Sequence, residues 1–204
     1  KKNTFIFLIK AFFLNLYSYN NVFLKKLQVI LQRIINKAKY KEFEINLKII
    51  DNLIISKSEK TNSYEAALIT SFFRNALINS NQTFSYETVM THFSKLEEIN
   101  YAKSKDFKTY LYFICLEDAN LNISRVKNRV LKGGHDVDEN LVTERYNKTL
   151  SNLFPAINIV DKVYIFDNSK VMKLIAEGNR TSLTLQIDEK DLPNWFIEYV
   201  LNKI

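Results

Sequence analysis

The run TYLYFICLEDANLNISRVKNRVLKGG at residues 109–134 decides the fold. It opens with the continuous apolar stretch 109–116, which is typical of a buried parallel strand. Polar residues end that stretch, and a helical pattern follows in which Ile123, Val126 and Val130 recur at three- and four-residue spacings. A buried strand that runs into an amphipathic helix indicates an α/β protein.

The same alternation continues along the chain. The pattern predicts a helix after Ser63, a short strand at 83–86, a polar helix at 95–105, a buried strand at 163–166, a helix or turn at 171–176, a bend at Gly178, an edge strand at 182–187 and a closing helix at 195–204. We therefore expect a three-layer α/β sandwich with a mainly parallel central sheet.

Charge is distributed unevenly over the 204 residues. Residues 1–60 hold twelve Lys/Arg against four Asp/Glu, a net charge of +8, while residues 61–204 hold seventeen against eighteen, a net charge of −1. The length predicts a single domain over 1–204, with a divergent basic segment at 1–62 and a core at 63–204. A basic segment can attract nucleic acid, but no nucleic-acid motif occurs in it, so we do not favour nucleic acid as the partner.

Membrane and disulfide chemistry are not indicated. The apolar run at 5–16 is shorter than the ~20 residues that a membrane span needs. A single cysteine, Cys115, cannot form an internal disulfide, and its apolar surroundings favour a buried, inert thiol. We expect a cytoplasmic protein with no membrane partner.

Three groups of polar residues follow predicted strands. They are Glu87 and Thr88, then Glu117 and Asp118, then Asp167, Asn168 and Ser169. Because the carboxyl ends of parallel strands meet at one edge of a sheet, these groups should lie near a ligand site. Glu87 could hold a metal-bound water or a substrate hydroxyl, and Thr88 could donate to a phosphate oxygen. Each group is equally compatible with ordinary capping of a strand end.

Arginines flank a pair of glycines in RVKNRVLKGGHDVDENLVTERY, residues 125–146. The chain has only three glycines, and two of them are Gly133 and Gly134. Guanidinium groups bind phosphate oxygens through paired hydrogen bonds, so Arg125 and Arg129 suggest a mobile phosphate-binding lid. The alternative is a solvated basic helix face. His135 lacks a second metal ligand nearby, and no metal site is assigned.

Residues from about Ser63 to Lys203 resemble the zeta-toxin-like family of P-loop kinases. The strings that carry the resemblance are YEAALITSFFRNAL, FSYETVMTHFSKL, TYLYFICLEDANLNISRVKNRVLKGGHDV, ERYNKTLSNL, YIFDNS and LPNWFIEYVLNK. The resemblance implies a nucleotide-kinase-like fold that uses ATP and Mg²⁺. Characterised relatives phosphorylate UDP-activated amino sugars and are toxins of toxin–antitoxin pairs. It therefore implies a nucleotide or a nucleotide sugar, and an antitoxin, as partners.

The resemblance also implies roles for single residues. Glu87 and Thr88 would lie on the substrate and metal side, and the catalytic arginines of the lid would be Arg125, Arg129 and Arg145. The lid hinge would consist of Gly133, Gly134 and His135. Asp167 and Asn168 would bind the nucleotide at its purine end.

One departure from the family is large. The family opens with a strand and a glycine-rich phosphate loop, whereas no glycine precedes Gly133 here. The family's catalytic aspartate has no match either, since Asp51 is the one aspartate before Asp106. Three hypotheses follow: a truncated or decayed kinase with a degenerate N-terminal part, a nucleotide or nucleotide-sugar binding module without catalysis, or a nucleic-acid-binding protein that acts through its first 60 residues.

Overall fold

The structure is a computed structural model. It describes Thr4–Ile6, Leu47–Ile50, Leu53–Ser56, the helical residues Val29 and Gln32, and residues 63–204. Most of the basic segment 1–62 and of the apolar run 5–16 therefore lies outside the described residues.

The described elements alternate between strands and helices. The strands are β1 Thr4–Ile6, β2 Leu47–Ile50, β3 Leu53–Ser56, β4 Phe84–Ser85, β5 Lys108–Cys115, β6 Lys162–Asp167, β7 Lys173–Asn179 and β8 Ser182–Leu185. The helices are α1 Ser63–Asn79, α2 Ser94–Lys103, α3 Ala119–Leu131, α4 Glu139–Ser151, α5 Leu153–Ile157 and α6 Asn194–Tyr199.

Six of the described strands form one sheet, in the order β4-β1-β5-β6-β7-β8. The first four strands in that order are parallel. Strand β7 is antiparallel to β6, and β8 is antiparallel to β7. Strand β1 lies between β4 and β5, with Phe5 opposite both Phe84 and Thr109. The predicted α/β class is confirmed, but the sheet is mixed because β6 continues into an antiparallel hairpin. Strands β2 and β3 form a separate antiparallel pair.

The chain divides into two compact units. One consists of residues 1–10 and 83–204, and the other of residues 11–82. Residues 1–10 belong to the first unit because β1 is hydrogen-bonded to β4 and β5.

Strand β5 is buried on one face only. Thr109, Leu111, Phe113 and Cys115 are buried, whereas Ile114 on the opposite face is 50% exposed. The expectation that this strand is buried on both faces was wrong. An unbroken apolar run does not reveal which face receives a covering layer, since that depends on elements distant in sequence.

Helix α6 covers part of the buried face. The rings of Trp195 and Phe113 lie with their centroids 6.0 Å apart, and Phe196 is completely buried. The closing helix predicted for 195–204 is shorter than expected, because the backbone departs from helical geometry at Val200 and a 3₁₀ turn, Leu201–Lys203, follows.

The prediction of a helix or turn at 171–176 was wrong. Strand β7 occupies most of it and pairs with β6, a long-range contact that local pattern cannot show. Gly178 lies within β7 rather than at a bend. A Cβ at Gly178 would approach the carbonyl oxygen of Ser182 to 2.1 Å, so the tight β7–β8 pairing requires glycine.

Asp161 ties the start of β6 to β5 and α2. Its Oδ2 accepts hydrogen bonds from the backbone N and Oγ1 of Thr109 at 2.8 and 2.9 Å, and its Oδ1 accepts from Lys103 Nζ at 3.0 Å. Partial burial opposes the charge of this carboxylate, but the donors from Thr109 and Lys103 outweigh burial and hold the pKa of Asp161 below its usual value.

We expect acid to remove the stabilisation that Asp161 provides. A carboxyl whose folded-state pKa is lowered stabilises the fold above its unfolded pKa of about 4, and this contribution is lost as pH falls through the lower folded value. In Asp161→Asn the free energy of unfolding should be smaller at pH 7 and depend less on pH between about 2 and 5 than in wild type. Chemical denaturation across that range measures both quantities.

Asp188→Asn is the matched control, because its ion pair with Lys190 is largely exposed. Exposed ion pairs contribute little, so this variant should keep the wild-type profile. Equal pH profiles for Asp161→Asn and wild type would contradict the proposed contribution.

Candidate functional site

A cavity of ≈ 420 Å³ opens at the carboxyl ends of β4 and β5. Its walls come from the loop after β4, the length of β5 and the facing sides of α3 and α4. The lining residues that matter below are Glu87, Thr88, Val126, Arg129, Val137, Arg145, Tyr146 and Thr149. Residues 87 and 149 are far apart in sequence, so the cavity exists only in the folded chain.

The loop after β4 brings two of the predicted site residues into the cavity. Glu87 is exposed, and its carboxylate forms no hydrogen bond or ion pair with any residue in the described part of the chain. Thr88 Oγ1 accepts a hydrogen bond from Met90 N at 3.1 Å, so its own proton remains able to donate. Met90 is buried and has a φ of 54°, a conformation that non-glycine residues rarely adopt.

The two arginines of α3 lie in different surroundings. The guanidinium of Arg129 lines the cavity and donates to the backbone carbonyl of His135 at 3.2 Å. Arg125 donates to the backbone carbonyl of Asn168 at 2.6 Å, and it is not among the residues that line the cavity. A guanidinium has five donors, so Arg129 can still donate to a ligand.

The glycine pair ends α3 as a Schellman motif. Gly133 has a φ of +84° and donates to Val130 O at 2.9 Å, and Gly134 donates to Arg129 O at 2.9 Å. These two bonds satisfy carbonyls at the end of the helix. The structure thus gives the glycines a capping role, and their role as a lid hinge stays a prediction.

Helix α4 presents the third arginine. Asp138 caps the helix by accepting from Leu141 N at 3.1 Å. Arg145 is exposed along the cavity wall and forms no hydrogen bond or ion pair with any other residue among those described. Such a guanidinium can bind an anion without first giving up a protein partner.

Tyr146 joins α4 to the end of β5. Its hydroxyl donates toward the backbone carbonyls of Leu116 and Glu117, with O···O distances of 2.9 and 3.0 Å. Burial raises the pKa of Tyr146 above its usual value, and burial likewise raises the pKa of the Cys115 thiol to about 12. Both groups are therefore neutral at pH 7, which agrees with the inert cysteine expected from the sequence.

Asp167 and Asn168 lie away from the first cavity. Asp167 lines a second cavity of ≈ 240 Å³ together with Glu117 and Ser169. Ser169 Oγ donates to Asp167 Oδ1 at 2.6 Å and accepts from Glu117 N at 2.7 Å. The backbone N of Asn168 donates to Cys115 O at 2.8 Å. These bonds fasten the end of β6 to the end of β5, and the expected contact with a purine stays a prediction.

The structure brings four of the predicted site residues to one cavity, namely Glu87, Thr88, Arg129 and Arg145. Two further residues, Thr149 and Asn152, hold the loop after β4 and are not among the predicted site residues. Thr149 Oγ1 donates to Val89 O at 2.5 Å, and Asn152 Nδ2 donates to Met90 O at 2.8 Å. Residues 145, 149 and 152 recur at helical spacing on one face, a pattern that could have drawn attention to them.

Neither a cluster that could hold a metal ion nor a membrane-spanning helix occurs among the described residues. No group of three or more His, Cys, Asp or Glu side chains there is arranged to hold a metal ion. Among the described helices, none combines the length and the apolar character that crossing a bilayer requires.

Comparisons with known proteins give distant likenesses. No family model matches the chain. An uncharacterized protein of Haemophilus influenzae is 32% identical over 63 residues, and the match covers 31% of this chain and 45% of that protein. A solved chain from the PezAT chromosomal toxin–antitoxin system of Streptococcus pneumoniae has a TM-score of 0.45 and 13% identity, over 86% of this chain and 72% of the solved one. The match thus spans less than half of the curated relative. This chain itself is a mixed α/β protein with a cavity at the carboxyl ends of its parallel strands.

We expect the two glycines to respond differently to substitution. At Gly134 a Cβ would lie 2.5 Å from Arg129 Cγ and 2.9 Å from Arg129 O, so Gly134→Ala should cost about 2 kcal/mol of stability and displace the arginine. At Gly133 nothing lies within 4 Å of an added Cβ, and only the positive φ opposes a side chain. Asparagine tolerates that conformation, so Gly133→Asn should cost about 0.5 kcal/mol or less.

Urea unfolding of both variants measures the difference. Equal losses of stability would contradict the Schellman assignment, because the two positions would then be equally crowded.

Proposed function

We propose that this chain is related to the zeta-toxin-like kinases and binds a phosphate-bearing ligand of the nucleotide or nucleotide-sugar class without transferring phosphate from ATP. The observation that carries the proposal is the cavity that combines the guanidinium of Arg145 with the carboxylate of Glu87, neither of which has a hydrogen-bond or ion-pair partner among the described residues. An oxyanion and a hydroxyl on one ligand match these two groups.

The position of the cavity supports a ligand site. After β1 the next strand of the same sheet is β4, on one side, whereas β5 is followed by β6 on the other side. The connections diverge between β1 and β5, and in open α/β sheets ligands bind outside the carboxyl ends of the strands at such a point. The first cavity lies beside this point.

The charges of the cavity support a ligand that carries a phosphate group and, beside it, hydroxyl or amide groups. Arg129 and Arg145 line it with two positive charges, and Glu87 supplies a carboxylate. Guanidinium groups match phosphate oxygens in a two-bond geometry. A carboxylate accepts hydrogen bonds from hydroxyl and amide groups, which sugars carry.

Magnesium, which the family resemblance implies, is compatible with this wall. Mg²⁺ is commonly held by one or two carboxylates together with substrate phosphates and water. Glu87 would supply a carboxylate and Thr88 a hydroxyl oxygen. When bound, the ion would offset phosphate charge; we assign no transfer step to it.

The sequence after β1 supports the absence of phosphoryl transfer. A phosphate loop cradles the transferring group with backbone N–H groups that glycines leave accessible, and it places a lysine on the phosphates. Residues 7–16 read FLIKAFFLNL and contain no glycine. Loss of that cradle removes several kcal/mol of transition-state stabilisation, roughly 10³-fold or more in rate.

We expect Arg145→Ala to weaken ligand binding roughly ten- to hundredfold, since charge-assisted hydrogen bonds contribute about 1.5–3 kcal/mol. Isothermal titration with UDP, UDP-N-acetylglucosamine and ATP, each with Mg²⁺, measures the affinities. Arg180→Ala, which changes the same residue type in the β7–β8 turn, should bind as wild type does.

The absence of binding by wild type to all three probes would contradict the proposal. A steep fall of affinity for DNA or RNA with salt, together with no nucleotide binding, would instead favour the nucleic-acid hypothesis.

We also expect no measurable transfer of the γ-phosphate of ATP to UDP-N-acetylglucosamine. Radiolabelled ATP followed by chromatography of the sugar product tests this directly. Magnesium-dependent transfer that disappears in Arg129→Ala would show that the chain is an active kinase. The family resemblance also implies an antitoxin as partner, and an active kinase would be expected to need one.

A further inference from the structure

Helix α4 contacts both ends of the candidate cavity. Its Arg145 lines the cavity, while Thr149 further along the helix and Asn152 directly after its last residue hold the 87–90 loop. Four residues of α-helix rise about 6 Å, so Thr149 lies one turn beyond Arg145 on the same face. The arginine and the loop are thus attached to one rigid element.

The loop is held by its backbone carbonyls. Val89 O accepts the hydrogen bond from Thr149 Oγ1 at 2.5 Å, and Met90 O accepts from Asn152 Nδ2 at 2.8 Å. Between these two carbonyls lies the backbone of Met90, with its φ of 54°. Sparsely populated backbone conformations persist only where the surroundings hold them, and they gather at ligand sites.

The loop carries two residues that line the cavity. Glu87 lies on the cavity wall, and the Thr88 hydroxyl accepts from Met90 N at 3.1 Å. The orientation of the Thr88 side chain is therefore coupled to the backbone of Met90, and Glu87 directly precedes Thr88 in the same loop. A change in the loop would alter the separation between the carboxylate and the Arg145 guanidinium.

We propose that Thr149 and Asn152 are positioning residues, which fix the carboxylate of Glu87 at a set separation from the guanidinium of Arg145 on the same helix. This inference rests on the proposed function for the identity of the ligand, but the contacts themselves do not depend on it. The site accordingly selects ligands whose anionic group and hydroxyl-bearing group lie at a matching separation. We call the contacts of Thr149 and Asn152 with the 87–90 loop the clamp. A ligand that carries the anionic group but no hydroxyl-bearing group gains little affinity from the clamp.

Thr149→Val tests the proposal, because it keeps the shape of the side chain and removes the hydroxyl donor. Hydrogen–deuterium exchange of residues 87–91 should become faster, and the affinity for UDP-N-acetylglucosamine with Mg²⁺ should fall roughly three- to tenfold. Thr149→Ser restores the donor and should restore both readouts. The affinity for UDP alone should change less than the affinity for the nucleotide sugar.

Thr143→Val is the matched control on the same helix. The Thr143 hydroxyl donates to Glu139 O at 3.0 Å within α4, and Thr143 does not line the cavity. The control should leave exchange and affinity at wild-type values. Asn152→Ala provides a second variant with the same expected direction as Thr149→Val.

A double-mutant cycle separates positioning from a general loss of stability. If Thr149 acts through Glu87, then Glu87→Gln and Thr149→Val should weaken binding less in combination than the product of their separate effects. Fully multiplicative effects, or wild-type exchange in Thr149→Val, would overturn the inference.

Failure of the proposed function gives a different result. If wild type binds none of the probes but Thr149→Val still speeds hydrogen–deuterium exchange in residues 87–91, the positioning contacts are confirmed and the proposed ligand class is wrong.

Discussion

The insertion of β1 between β4 and β5 is the constraint on which the candidate site depends. Phe5 lies opposite Phe84 on one side and Thr109 on the other, which joins the beginning of the chain to strands about one hundred residues later. This arrangement aligns the carboxyl ends of three parallel strands at one edge. In addition, the next strand of the sheet after β1 lies on one side and the next strand after β5 lies on the other, the arrangement at which open α/β sheets bind ligands.

Three arginines of similar sequence context lie in three different environments. Arg125 and Arg129 each donate to a backbone carbonyl, at 2.6 and 3.2 Å, and Arg145 has no bonded partner among the described residues. A ligand that binds Arg125 would have to compete with an existing protein contact, whereas Arg145 needs no such exchange. For the proposed ligand, Arg145 is therefore the arginine that needs the least rearrangement, a ranking that no local sequence pattern provides.

The glycine pair illustrates how one observation supports two interpretations. Its rarity and the neighbouring arginines suggested a hinge, and the structure assigns Gly133 the left-handed position of a helix cap. Capping and motion are compatible, because a capped end can still be where a helical hairpin turns. The close approach of Gly134 to Arg129 makes the cap part of the cavity wall, since the same arginine lines the cavity.

By itself the sequence determined the elements with strong local patterns, namely α1 and the strands β5 and β6. It also determined that no glycine-rich loop precedes Gly133. Only the tertiary structure decided that residues 173–179 form a strand, that β5 is buried on one face, and that Thr149 and Asn152 hold the loop after β4. The physical reason is range, because helical periodicity acts over three or four residues, whereas a strand depends on the partner that it pairs with. The contacts of Thr149 and Asn152 with the loop after β4 join residues about sixty positions apart.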